Sequence, residues 1–184
     1  MIFSATELRD AFLVEIEPRV DSRGFFARTW CLKEFEAHRL NTAVAQANTA
    51  VSPCKGTLRG LHYQEAPFAE VKLVRCTRGA VYDVIVDLRP DSPTYRRWIG
   101  VELTADNHRM LYVPEGFAHG YQTLSDHTEL WYQTSQFYAP ASARGVRYDD
   151  PALDIRWPLA VTAISDADHG WPLLDHSEMS GKER

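Results

Sequence analysis

The sequence predicts an all-β fold, a cupin-like jelly-roll sandwich or barrel with a few short helices, and three observations carry that expectation. Two β-rich runs meet at Arg78 and Gly79, further short β-rich runs recur between clusters of turn residues, and helical periodicity is convincing in one place only.

The runs at 72–77 and 80–88 read as a hairpin, because glycine permits positive φ at a tight turn and the flanks are rich in Val, Ile, Tyr and Leu. In the second run Tyr82, Val84, Val86 and Leu88 share one face, and Val81, Asp83, Ile85 and Asp87 share the other. Asp83 therefore stands among apolar neighbours and points to a polar pocket on an inner face. Further strands are expected at 98–103, 109–113, 120–123, 129–137 and 145–148, each bounded by Asp, Asn, Gly, Pro or Ser. Residues 32–40, with Leu32, Phe35, Glu36, Arg39 and Leu40, form the helical candidate. Many short strands with a turn about every eight to twelve residues favour a jelly roll with a ligand-holding mouth.

At 184 residues and 45% hydrophobic composition, the chain is expected to form a single domain over 1–184 with a sizeable core, its polar tail at 178–184 frayed. The net charge of −5 argues against nucleic acid and anionic membranes as partners. Charged residues Glu7, Arg9 and Asp10 interrupt the N-terminus before a secretory signal can develop, and no run reaches the ~20 apolar residues of a membrane span. The expectation is a cytoplasmic protein. Cys31, Cys54 and Cys76 are odd in number and widely spaced, which suggests neither a disulfide framework nor a zinc knuckle. Open-edged jelly rolls commonly pair, so a homodimer is expected, with the strand-like 12–16 segment a candidate for exchange between protomers.

Three constellations could carry chemistry. KGTLRGLHYQ (55–64) places Arg59 and His62 around a glycine that lets the backbone pass close to a ligand, and a guanidinium is a common diphosphate partner. An ordinary surface ion pair is the alternative for Arg59. PEGFAHG (114–120) strings turn residues around His119 and matches half of a metal-binding cupin pattern. The other half is incomplete, because His62-Tyr63-Gln64 lacks the second imidazole, and His62, Glu70 and His119 would be a sparse set for zinc or iron. No metal is therefore expected. Trp131-Tyr132 and Phe137-Tyr138 form the third, with Tyr132 and Tyr138 on one parity. They could place phenols opposite a base, or could be half-buried strand residues.

Together with DSRGFFAR (21–28), KLVRCTRGAVYDVIVDLRPDSPTY (72–95), YVPEGFAHGYQTL (112–124) and ISDAD (164–168), these motifs resemble the dTDP-4-dehydrorhamnose 3,5-epimerase family over nearly the whole chain. The resemblance implies a homodimeric isomerase that epimerises a nucleoside-diphosphate 4-keto-6-deoxyhexose at C3, C5 or both, in deoxysugar biosynthesis, with no cofactor. It implies His62 as base, Asp168 as its orienting carboxylate, Lys72 as an active-site cation and Tyr132 as the catalytic tyrosine. His119 and Tyr138 match pocket residues. Arg23, Phe26, Gln46, Asn48 and Arg59 match positions that hold the nucleotide, some across the dimer. Arg28, Ala143 and Ala167 depart from the family's common residues at the nucleotide periphery, which leaves the nucleotide open.

These residue types suit the reaction. Removing a proton beside a ketone gives an enolate, so a base is needed at carbon and positive charge at oxygen. An imidazole with a reference pKa of ~6.5 serves as base, a carboxylate on its other nitrogen fixes the tautomer, and a phenol can return a proton to the opposite face. Asp83 is the alternative carboxylate. Competing readings are a 3,4-ketoisomerase on the same scaffold, a non-catalytic sugar-nucleotide-binding cupin and a metal-dependent cupin oxygenase.

Overall fold

The computed structural model describes residues 1–174, so the expected frayed tail lies outside the described residues. One sheet has six strands in the order β1 (Ile2–Ala5), β2 (Phe12–Glu15), β10 (Met110–Val113), β7 (Lys72–Arg78), β12 (Thr128–Thr134) and β5 (Gln46–Ser52). The second has five, in the order β13 (Ala143–Gly145), β6 (Leu58–Gln64), β11 (Phe117–Thr123), β8 (Ala80–Asp87) and β9 (Trp98–Thr104). A separate hairpin pairs β3 (Arg19–Asp21) with β4 (Gly24–Phe26), and the helices are α1 (Leu32–Ala37) and α2 (Asp166–His169). The two antiparallel sheets make the expected cupin-like jelly roll.

Alternation along the strands fills the space between the sheets. Val74 and Cys76 of β7, Leu111 and Val113 of β10 and Leu130 of β12 meet Val81, Ile85, Leu103, Phe117 and Tyr121 from the other sheet in one buried cluster. The outer face of the six-stranded sheet carries Val14, Leu73, Met110 and Tyr112, covered by Phe35 of α1. On the outer face of the five-stranded sheet, Leu61, Val84, Val86 and Ala118 are covered by Val146 and Leu153. The expected parity of β8 holds: Val81 and Ile85 face the inner core, whereas Tyr82, Val84 and Val86 pack outward. Gly79 adopts φ +73° at the turn between β7 and β8.

Several expected elements shift. Strand β12 stops at Thr134, short of Phe137, so strand parity does not reach Tyr138. The segment expected at 145–148 pairs instead as β13, where Gly145 lies opposite His62. Strand β2 is hydrogen-bonded on both sides within its own chain, to β1 and β10, and is not the open strand expected for exchange. Strands β1, β3, β4, β5 and β6 were not expected from alternation, nor was α2. No helix among the described residues is long and apolar enough to cross a membrane.

Leu111 is fully buried between the sheets, so Leu111→Ala should lower unfolding free energy by about 3 kcal/mol. Val51→Ala, at a half-exposed position, should change it by under about 0.5 kcal/mol. Denaturant titration of both variants measures the contrast, and equal losses would contradict this placement of the core.

Candidate active site

An irregularity in one strand creates the site. Between β6 and β11 the register runs His119 opposite His62 and then Tyr121 opposite Arg59, so three steps on β6 span two on β11. A bulge of this kind resets side-chain alternation. It turns Arg59 and His62, one odd and one even, toward the same cleft, where His119 and Tyr121 already point. Glycine is required at the crossing, because a Cβ on Gly60 (φ +118°) would stand 2.5 Å from the Gly120 Cα.

The bulge also provides a free donor. Gly60 N–H donates to Asp168 Oδ2 (3.1 Å), while Asp168 Oδ1 lies 2.6 Å from His62 Nε2. Asp168 sits in α2, whose N-cap Ser165 accepts from the Asp168 amide at 3.0 Å. Burial would push the Asp168 carboxyl up, but the hydrogen bond and charge of His62 and the Gly60 amide outweigh it and hold the group below its ordinary value. An ionised acceptor at this distance keeps the proton on His62 Nε2 and leaves Nδ1 as the basic nitrogen. The His62 side chain is 46% exposed, against 8% for Asp168, so the imidazole reaches the cleft and its partner does not.

The facing sheet supplies the remaining groups. Lys72 of β7, Tyr132 of β12 and Gln46 and Asn48 of β5 point inward in register, with Tyr132 opposite Asn48 and Thr134 opposite Gln46. Lys72 is ion-paired with Glu70, and both side chains are largely buried. The Tyr132 hydroxyl is pushed above the ordinary phenol range by burial and by the charge of Glu70, against a smaller opposing effect of Arg59.

The cleft has two lobes. The inner one, about 450 Å³, is bordered by Arg59, His119, Tyr121 and Ser165, and the outer one, about 580 Å³, by Gln46, Asn48, Tyr138, Ala143 and Ala167. Four residues border both: His62, Lys72, Tyr132 and Asp168. Tyr138 thus reaches the site from a loop rather than by strand parity. Arg23 and Phe26 do not reach it: they lie on the exposed β3–β4 hairpin, where Arg23 pairs with Asp21 at 2.6 Å and Phe26 is 71% exposed. Arg28 is likewise elsewhere, paired with Glu34 at 2.5 Å.

Asp83 is not the partner of His62. It is fully buried and its two carboxylate oxygens each lie 3.0 Å from His119 Nε2, making a second, deeper His–Asp pair. Residue patterns alone also missed Glu70 as the Lys72 partner, and Tyr121, whose buried hydroxyl is pushed up to about 12 by burial. Trp171 was missed too; its ring stands edge-on to His62 at 6.3 Å and leaves no room for a Cβ on Gly145. A signal for α2 was present in Ser165-x-x-Asp168, a capping pattern. Among the described residues, no three His, Cys, Asp or Glu side chains converge as a metal site would need.

The profile of the dTDP-4-dehydrorhamnose 3,5-epimerase family matches residues 5–176. The chain belongs to this family. It is 45% identical to the dTDP-4-dehydrorhamnose 3,5-epimerase of Shigella flexneri over 164 residues, 89% of this chain and 90% of that one. The crystal structure of the Bacillus anthracis enzyme with TDP and PPi bound superposes with a TM-score of 0.91 at 43% identity, covering 94% of this chain and 99% of that one. That of the Legionella pneumophila enzyme in complex with dTDP-4-keto-L-rhamnose gives 0.88 at 36% identity, covering 97% and 95%. As a member of the family, the chain is an isomerase of the epimerase type.

Because the folded Asp168 carboxyl titrates below its unfolded counterpart, its contribution to stability is present above the unfolded value of ~4 and is lost as the pH falls through the folded one. Asp168→Asn should therefore destabilise the protein by about 2 kcal/mol near neutrality. The deficit should narrow steadily below about pH 4, as followed by urea unfolding. A deficit that is independent of pH would contradict the charged pairing.

Proposed function

We propose that this protein epimerises a nucleoside-diphosphate 4-keto-6-deoxyhexose at C3 and C5, the carbons flanking its ketone. The observation that carries the reading is the convergence of His62, Asp168, Lys72 and Tyr132 at the boundary of the two lobes. The base comes from one sheet, and the cation and phenol from the other. The hexose lies across this boundary and its nucleotide occupies the outer lobe among Gln46, Asn48 and Tyr138.

The free nitrogen of His62 takes the proton beside the ketone, and Asp168 stabilises the resulting imidazolium. The Lys72 ammonium faces the developing enolate oxygen, an interaction that strengthens toward the transition state. Tyr132, a neutral phenol whose ionisation is further opposed by burial, returns a proton from the opposite side and inverts the centre. Base, acid and oxyanion partner are all side chains, so the chemistry requires no cofactor. Ligands named for the Bacillus anthracis and Legionella pneumophila relatives support a thymidine diphosphate sugar. Ala143 and Ala167 present small, uncharged side chains to the outer lobe, which suits a nucleotide held by shape and hydrogen bonds there.

The working unit is a cytoplasmic homodimer in which the partner's hairpin closes the nucleotide lobe. Its support is the exposure of Val20, Phe25 and Phe26 on that hairpin (78%, 51% and 71%), an apolar surface beside Arg23 that the single chain leaves in water.

Incubation with dTDP-4-keto-6-deoxyglucose in deuterium oxide tests the reading by mass and NMR analysis. The wild type should introduce deuterium at C3 and C5 with inversion. His62→Ala should lose exchange by ~10²–10⁴-fold while still binding dTDP. Tyr132→Phe should keep exchange but return the label with the original configuration, since the imidazolium can reprotonate its own side. Wild-type deuterium uptake by His62→Ala would sink the assignment.

A further inference from the structure

Glu70 has no place in the mechanism above, yet it is the carboxylate in contact with the cleft's lysine. It stands in the loop between β6 and β7, with its side chain only 11% exposed, and borders the outer lobe beside Lys72 and Tyr132. One carboxylate oxygen pairs with the Lys72 ammonium, and the other accepts from Gln64 Nε2 at 2.9 Å. Gln64 is itself anchored. Its Nε2 lies 2.9 Å from Phe68 O and 3.1 Å from Phe137 O, and its Oε1 accepts from Ala139 N at 2.6 Å. A flexible four-carbon ammonium is thereby held at a defined point, and its carboxylate partner is held in turn.

We propose that Glu70 is a positioning residue of the epimerisation: through their ion pair it fixes the Lys72 ammonium at the enolate oxygen. The inference rests on the role proposed above for Lys72. An unpaired ammonium in this largely buried position would be free to change rotamer, and a small misplacement of an oxyanion partner is costly. A negative charge near a phenol also opposes its ionisation, which makes the Tyr132 titration a reading of the Glu70 charge.

The groups that share the cleft with Tyr132 determine the sign. Strand β6 contributes Arg59 and His62, β7 Lys72, β11 His119 and Tyr121, and α2 Asp168, with Arg144, Tyr63 and Tyr138 at the outer rim. Asp168 is already committed to His62 and Gly60. Glu70 raises the Tyr132 hydroxyl, second only to burial, and Arg59 lowers it. Neutralising Glu70 removes a raising influence and leaves the Lys72 cation uncompensated, so the phenol ionises at lower pH.

Glu70→Gln is the informative variant, because the amide oxygen can still accept from Gln64 while the charge is lost. Glu70→Asp restores the charge on a shorter stem. Epimerisation and dTDP binding would be measured against pH for both variants. Phenolate absorbance would be titrated in the Gln variant with and without Tyr132→Phe. Glu70→Gln should lower kcat about tenfold at its plateau, change KM by less than about twofold, and move the alkaline limb and the Tyr132 titration down by about one pH unit. Glu70→Asp should return the limb to its wild-type position. An unchanged kcat, or a loss confined to KM or thermal stability, would overturn the proposal. The titration needs no turnover, so a shifted Tyr132 in a protein without epimerase activity would sustain the Glu70 coupling and refute the assigned reaction instead.

Discussion

The arrangement depends on one carboxylate held from two directions. Asp168 receives the His62 imidazole on one oxygen and the Gly60 amide on the other, and the second contact exists because the bulge releases that amide from the ladder. The same bulge turns His62 and Arg59 toward one cleft. Orientation of the base, ionisation of its partner and the shape of the inner lobe therefore share one cause. Gly60 and Gly120 permit it by letting β6 and β11 approach more closely than any side chain would allow.

A sandwich suits inversion for a geometric reason. A group that removes a proton and one that returns it to the other face must approach a flat enolate from opposite sides, and two facing sheets supply two opposed walls. His62 stands on the five-stranded wall, Lys72 and Tyr132 on the six-stranded one. Lys72 and Tyr132 are held by strands whose neighbouring inward residues, Val74 and Leu130, belong to the buried core. The stability of the core is thus what keeps the reacting groups in place, as expected for sites built on rigid elements.

Alternation made β8 readable, down to the inward Asp83, because both of its aspartates fall on one face and the other face is wholly apolar or aromatic. It failed for β6, where the bulge breaks the period of two in the very segment that carries Arg59 and His62. It failed for β5 because Gln46–Ser52 is an edge strand whose small and polar residues carry little contrast. Helix α2 is four residues long and has no room for a helical period. The pairing of His62 with Asp168 spans 106 residues, and residue patterns left Asp83 equally eligible; only the family resemblance preferred Asp168. Glu70 was visible solely as an awkward metal ligand, since its partnership with Lys72 depends on how the β6–β7 loop folds back.

The proposed chemistry requires Asp168 to fix His62 as the tautomer protonated at Nε2, with Nδ1 presented to the substrate. Nitrogen-15 NMR of imidazole-labelled protein at alkaline pH, where imidazoles are neutral, reads this directly, with His62→Gln used to assign the resonances. The wild type should show a protonated, pyrrole-like Nε2 and an unprotonated, pyridine-like Nδ1, with averaging between tautomers in Asp168→Asn. A proton resident on Nδ1 in the wild type would contradict it.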